Sequence, residues 1–447
     1  MTDTRIAFVH ARRVWDSRGR PTVEADVLLE SGAVGRATAP AGASTGSHEA
    51  VDLRDGGAAF GGYDVSKAVG HVNDVIARAV RGMDAADQEA LDERLIELDG
   101  TRNKSRLGAN ALLAVSMAAA HAAAAAAGQP LYAYLGGADA TLIPLPQIQI
   151  FGGGAHAGRR VDIQDFMIMC PAAASFAQAL DWTAEVYRAA GTLMAEAGQL
   201  AGVADEGGWW PAFATNEQAL DTLVRAIEKA GFLPGEQVGI ALDIAASEFG
   251  RDGVYTLALD GARLSTDEMI GLLTGWIGRY PILSVEDPVA EDDLDGLVAF
   301  SRAVGDRVQI VGDDLFVTDA DRLQDAAVKG GGNCVLLKPN QRGTLTETLD
   351  ASRAAVASGY ARIISARSGE TEDITIAHLA VGWSAGQFKV GSFSRGERMA
   401  KWNEMLRIEE ALGRKARFAG GAVLGRSPTA RSQGDRSQGD RAQAEHP

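Results

Sequence analysis

The chain has 447 residues, a formal net charge of −16 and 46% hydrophobic residues. That length suits two domains at roughly 100–200 residues each, and that apolar content excludes global disorder. The acidity argues against a nucleic-acid surface, which needs a basic footprint. Two cysteines cannot build a disulfide framework, so the composition points to an intracellular, cytoplasmic chain.

In chain order, Met1 to His10 carries Asp3 and Arg5 and no long apolar run, so no targeting signal is read there. Ile6–Val9, Thr22–Leu28 and Ala33–Ala37 alternate in the strand manner around Asp16-Ser-Arg-Gly-Arg-Pro and Ser31-Gly32, which predicts an antiparallel meander. A glycine-rich loop, Ala41 to His48, follows. Helices are predicted near 66–81, 84–98 and 107–127, the last stopped by Gly128-Gln-Pro130. Within it, Ala111–Ala127 is the longest uncharged run; its length and Ala content fit a buried helix better than a membrane span. Residues 1–130 are thus expected to form an α+β capping domain.

From about 142 the rhythm changes to short apolar strands alternating with helical stretches. Strands are predicted at Leu145–Phe151, Ile163–Met169, Ala201–Asp205, Val238–Asp243, Ile282–Glu286, Val308–Asp313, Cys334–Lys338, Ile363–Ser365 and Phe388–Val390. This alternation predicts a mostly parallel α/β barrel over 142–420. The repeated Arg-Ser-Gln-Gly-Asp at 431 and 436, in a stretch with no aliphatic residue larger than Ala, predicts a disordered tail over 426–447.

Polar residues recur where the barrel strands end: Asp165, Glu206, Asp243, Glu286, Asp313, Lys338, Arg367 with Ser368, and Lys389. In a β/α barrel these ends converge on one mouth. One acidic residue after a strand is often a helix cap; eight such positions in order, carboxylates first and cations after, are not explained as caps. Asp243, Glu286 and Asp313 are hard oxygen ligands that suit Mg²⁺ over zinc. A lysine beside another cation and a divalent metal is expected to have a lowered pKa and to act as a base, the role given to Lys338. Metal plus lysine base suits proton abstraction α to a carboxylate. Glu206 is then placed to protonate a departing hydroxyl.

From about Ile6 to Gly420 the chain resembles the enolase (phosphopyruvate hydratase) family. The motifs that carry the resemblance include Asp16-Ser-Arg-Gly, Gly42-Ala-Ser-Thr-Gly, Leu107-Gly-Ala-Asn-Ala, Asp205-Glu-Gly-Gly, Glu286-Asp-Pro, Gly312-Asp-Asp-Leu, Gly343-Thr-Leu-Thr-Glu-Thr and Arg367-Ser-Gly-Glu-Thr-Glu-Asp. The resemblance implies a TIM-like barrel with an N-terminal domain and two Mg²⁺ ions per site. It implies a small phosphorylated carboxylate as substrate and a homodimer or higher homo-oligomer, with no nucleic-acid or membrane partner. It makes Lys338 the base and Glu206 the general acid. It makes Asp243, Glu286 and Asp313 the ligands of one Mg²⁺ and Ser44 that of the second. It gives Lys389 to the substrate carboxylate, Arg367 and Ser368 to the phosphate, His156 to a loop closing over the substrate, and Gln164 to a hydrogen bond beside it.

The chain departs from the family pattern at several points. Ser365-Ala366-Arg367 stands where the family has Ser-His-Arg, and Asp165 stands where it has Glu. Phe151-Gly-Gly-Gly replaces Asn-Gly-Gly, Trp209-Trp210 replaces Phe-Ala, Arg342 replaces Ile and Gly396 replaces Ser. These changes are expected to gather at the pocket mouth and the leaving-group side, with Trp209-Trp210 either walling the ligand or packing as a pair. Three readings stay open. The first is an enolase dehydrating 2-phosphoglycerate to phosphoenolpyruvate. The second is a paralogue of phosphonate or phosphinate biosynthesis forming carboxyphosphonoenolpyruvate. The third is a non-catalytic binding protein on the same fold. Cys170, Cys334, His121 and His378 read as structural.

Overall fold

The computed structural model describes residues 3–424, so the tail expected over 426–447 lies outside the described residues. The N-terminal part opens with the meander β1 (Ile6–Trp15), β2 (Pro21–Leu29) and β3 (Val34–Thr38), paired antiparallel. Alternate residues of β2, from Val23 to Leu29, are buried under helices, as a one-faced sheet requires. The helices are α1 (Ser66–His71), a π-helical turn (Val72–Ile76), α2 (Ala77–Val80), α3 (Gln88–Asp99), α4 (Ala109–Ala126) and α5 (Leu131–Gly136). α4 is long and apolar enough to cross a membrane, yet it is 83% buried and lies on the meander. Its contact is close: a Cβ at Gly35 would fall 2.0 Å from the Ala118 carbonyl oxygen, so only glycine fits. Sequence reasoning missed α5, because Pro130 was read only as a stop. Proline at a helix start is equally favourable, and Pro130 is the N-cap of α5.

The second part is a closed eight-stranded barrel. In chain order its strands are β5 (Leu145–Gly152), β6 (Asp165–Met169), β7 (Gly239–Asp243), β11 (Ile282–Glu286), β12 (Gln309–Gly312), β13 (Cys334–Leu337), β14 (Ala361–Ser365) and β15 (Gly386–Ser392). Two short strands, β4 (Leu142–Ile143) and β16 (Arg417–Phe418), pair with each other. β8 (Gly250–Arg251), β9 (Val254–Leu257) and β10 (Ala262–Ser265) form a small outlying sheet. The outer helices are α6 (Phe176–Glu196), α7 (Asn216–Lys229), α8 (Thr266–Arg279), α9 (Leu294–Val304), α10 (Ala320–Lys329), α11 (Leu345–Ala357), α12 (Thr375–Gly382) and α13 (Gly396–Leu412). Strand residues are buried on both faces, which explains their unbroken apolar runs.

One expectation is corrected. Ala201–Asp205 is not a barrel strand; within it only Val203 makes a β-bridge, to Trp209. Gly198, Gly202 and Gly207 take φ of 67°, 100° and 95°, which turn the chain instead of extending it. The barrel is mostly parallel, as expected, with one exception: β6 runs antiparallel to both neighbours, β5 and β7, while the other pairs are parallel. No long helix separates β5 from β6, so no parallel crossover is made. Cys170 and Cys334 are buried thiols, and burial pushes Cys170 up to about 12, as core cysteines should be.

Candidate active site at the barrel mouth

The reversal of β6 changes how the site is built. Asp243 and Glu286 end β7 and β11, and Asp313 and Lys338 directly follow β12 and β13. Asp165 instead begins β6, and the antiparallel register sets it opposite Gly152 and Asp243 at the same mouth. Glu206 comes from the connection between α6 and α7, not from a strand end. Lys389 lies inside β15, Arg367 and Ser368 follow β14, His156 lies between β5 and β6, and Ser44 reaches in from the N-terminal part. Ten of the twelve predicted residues line one cavity of about 330 Å³; Glu286 and Asp313 are buried outside its wall.

The cavity floor is a lattice of opposite charges. Lys389 Nζ lies 2.9 Å from Asp243 Oδ2, 2.9 Å from both Glu286 oxygens and 3.3 Å from Asp165 Oδ2. Lys338 Nζ donates to Asp313 Oδ2, and Gln341 Nε2 donates to the other Asp313 oxygen at 2.9 Å. Burial opposes the Lys389 charge, but Asp243 and Glu286 outweigh it and hold the ammonium well above the ordinary lysine range. Glu286 is pushed well above the carboxylate range by burial first and by Asp243 second. With no cation bound, Lys338 is raised: burial lowers it, but Asp313 prevails.

The donor set fits a hard divalent cation. Asp243, Glu286 and Asp313 are buried carboxylates crowded enough to raise Glu286, and a lysine ammonium already sits between two of them as positive charge. Among the described residues, ligand atoms gather within 4.8 Å of one another in two groups, Asp287–Asp313–Asp314 and His156–Asp165–Glu206. The predicted trio is not one of these groups; the two ammoniums take its oxygens.

On the other wall, His156 Nδ1 lies 3.1 Å from Asp165 Oδ1 and its Nε2 3.6 Å from Glu206 Oε1. Burial disfavours the imidazolium, but Glu206 and Asp165 outweigh it and raise His156 to about 9. The Asp165 carboxyl is held well below the usual range: burial would raise it, but His156 and Lys389 prevail. Gln164 Nε2 donates to Asp243 Oδ2 at 3.2 Å and to Ser44 Oγ at 3.4 Å.

Sequence reasoning missed Glu49 and Asp287. Arg367 grips Glu49 with both guanidinium arms, at 2.9 and 3.1 Å, and donates to the Ser44 carbonyl at 2.9 Å, so the Gly-rich loop and the residue after it are tied to this arginine. A Cβ at Gly42 would fall 2.0 Å from Arg367 Nη2, which explains a glycine there. Asp287 accepts from the backbone N–H of Asp313 and Asp314 at 2.8 and 2.9 Å, pinning the turn that presents Asp313. A charged residue directly after the glycine-rich loop, and one directly after Glu286, were the available signals.

Several departures do not gather at the mouth. Trp209 stacks on Tyr187 at 4.7 Å and donates its indole N–H to the Tyr187 carbonyl, and neither Trp209 nor Trp210 lines the cavity. Phe151 packs edge-on against Phe213. Arg342 pairs with Asp319 and Glu347, and a Cβ at Gly396 would meet open space. Only Ala366 and Asp165 face the cavity.

The family model described as "Enolase, N-terminal domain" matches residues 6–135, and "Enolase, C-terminal TIM barrel domain" matches residues 140–426. The chain is also 50% identical, over 426 residues, to Enolase 1 of Desulfitobacterium hafniense (strain Y51), covering 95% of this chain and 98% of that protein.

Proposed function

The chain belongs to the enolase family and is a lyase of the enolase type, and from that premise we propose that it removes water from 2-phosphoglycerate to give phosphoenolpyruvate. The observation that carries this reading is the meeting of Lys338, Glu206 and Arg367 around one cavity. Lys338 takes the proton α to the carboxylate. Glu206, from the opposite connection, delivers a proton to the departing 3-hydroxyl. Arg367 and Ser368 hold the phosphate, and Lys389 turns from Asp243 and Glu286 to the substrate carboxylate. His156 and Gln164 close the remaining sides.

Asp243, Glu286 and Asp313 would hold one Mg²⁺, and Ser44 would contribute to a second. Bound there, the cations supply positive charge opposite the carboxylate as charge develops on it. With Asp313 so engaged, Lys338 loses the partner that keeps it charged, and its pKa falls toward that of a working base. The domain division at about 130–142, a cytoplasmic setting and a homodimer or larger assembly belong to the same reading.

The second reading, a changed phosphorus or leaving group, now rests on Ala366 and Asp165 alone, since Trp209 and Phe151 are packing residues. Both are tested by incubating the purified protein with 2-phosphoglycerate and Mg²⁺. Phosphoenolpyruvate absorbance and deuterium uptake at the α-carbon are followed together. Rapid formation of both supports the first reading. Exchange without dehydration favours the second, and the absence of both signals refutes the proposal.

A further inference from the structure

We propose that Gln149 is a positioning residue for the acid side of the site, a buried amide that joins Asp165 to the loop carrying Glu206. It lies on β5, is fully buried and is not part of the cavity wall. Its Nε2 donates to Asp165 Oδ1 at 2.5 Å, and its Oε1 accepts from the Gly208 N–H at 2.9 Å. The reverse amide orientation would set oxygen against carboxylate and N–H against N–H, so the partners fix which end faces which.

Two glycines shape the slot. A Cβ at Gly208 would fall 2.4 Å from Gln149 Oε1, and one at Gly152 would fall 2.7 Å from Ala204 Cβ and 3.0 Å from Oε1. The loop is fastened further by Trp209 N–H to Ile150 O at 2.8 Å and by Ala204 N–H to Gly208 O at 2.7 Å. The contacts close a ring: Gln149 holds Asp165, Asp165 holds His156, His156 faces Glu206, and Glu206 lies two residues before Gly208. The base side, with Lys338 and Asp313, lies outside the ring. Gln149 therefore sets where Glu206 and His156 stand and leaves proton abstraction alone.

The inference rests on the dehydration reading, and its test separates the two. Gln149→Met keeps the length and removes both hydrogen bonds; Gln149→Glu keeps the acceptor for Gly208 and sets a carboxylate against Asp165. In the full-length protein, dehydration kcat is expected to fall about 10–100-fold in both, the usual effect of losing an outer-shell partner. The α-proton exchange rate at saturating 2-phosphoglycerate is expected to stay within about threefold, because the base is untouched. Unchanged dehydration overturns the role. So does an equal fall of exchange and dehydration, which would mean that the amide supports the barrel as a whole. Nitrogen NMR of the His156 ring, without substrate, gives a reading independent of activity. Its signals are expected to shift in both variants, and identical spectra overturn the proposal. Wild-type protein that neither exchanges nor dehydrates 2-phosphoglycerate refutes the function, while the ring spectra still decide the role of Gln149.

Discussion

Replacing Lys389 with Met removes one ammonium from three carboxylates, Asp165, Asp243 and Glu286, all of them buried. Breaking a buried pair by deleting one partner costs about 3–5 kcal/mol, because the charge left behind is uncompensated. A chain of 447 residues has an unfolding entropy of about 0.9 kcal/mol/K, so each kcal/mol moves the unfolding midpoint by about 1 °C. The variant in EDTA is therefore expected to unfold about 3–5 °C below wild type. Glu286, already raised, absorbs part of the loss by taking a proton. If the carboxylates form a cation site, Mg²⁺ restores the missing positive charge, and a ligand at 100 times its Kd adds about 2.7 kcal/mol. In wild type the ammonium competes for the same oxygens, so the Mg²⁺-induced shift is expected to be larger in Lys389→Met. Calorimetry with EDTA and with a Mg²⁺ series measures both terms. A variant as stable as wild type in EDTA, or one that gains no more from Mg²⁺, refutes the reasoning.

Lys338→Ala is expected to slow α-proton exchange by at least about 10²–10⁴-fold, or about 2.7–5.5 kcal/mol in the barrier; proton NMR in D₂O reads it, and an unchanged rate removes the base assignment. The pair Ala366→His with Asp165→Glu restores the family pattern and is expected to raise dehydration of 2-phosphoglycerate. No gain in kcat or KM would mean that neither position limits the reaction. Asp92 is buried against Ser116 and Thr346, and burial raises it to about 6. A carboxyl raised in the fold contributes stability that is complete below 3.8 and is lost as pH rises through about 6. Urea unfolding should therefore show a loss of about 1–3 kcal/mol across that window, and Asp92→Asn should flatten it. A slope that survives in the variant belongs to other groups.

The barrel was legible because each parallel strand is a short apolar run before a helical stretch, and Asp243, Glu286, Asp313 and Lys338 fall where that rule puts them. The rule failed where the connection changed. Between Phe151 and Gln164 the chain has Gly152, Gly153, Gly154 and Gly158 and no long helix, so it folds back and delivers Asp165 at the start of β6. Ala201–Asp205 has a strand's composition, but its glycines curl it into the turn that carries Glu206. The pairing of Lys338 with Asp313 was not legible, because residue types show that carboxylates are near and do not show which one is nearest. Glu49 escaped for a similar reason: its partner Arg367 lies 318 residues away.

The two departures that face the cavity differ in kind. Asp165 has a shorter stem than the family's glutamate, yet its carboxylate is fully engaged: Gln149 and His156 on one oxygen, Lys389 on the other. A shorter side chain with three partners is held as firmly as a longer one, so this change has been taken up by its neighbours. Ala366 differs. It lines the cavity with a methyl group, and its hydrogen bonds are those of its backbone: its N–H donates to the Lys389 carbonyl and its carbonyl accepts from the Ser365 hydroxyl. On the proposed reading Lys338, the carboxylate trio and Arg367 keep the roles of the family pattern, so the test of a changed ligand falls on Ala366, which faces the cavity, and not on Trp209 or Phe151, which pack on Tyr187 and Phe213.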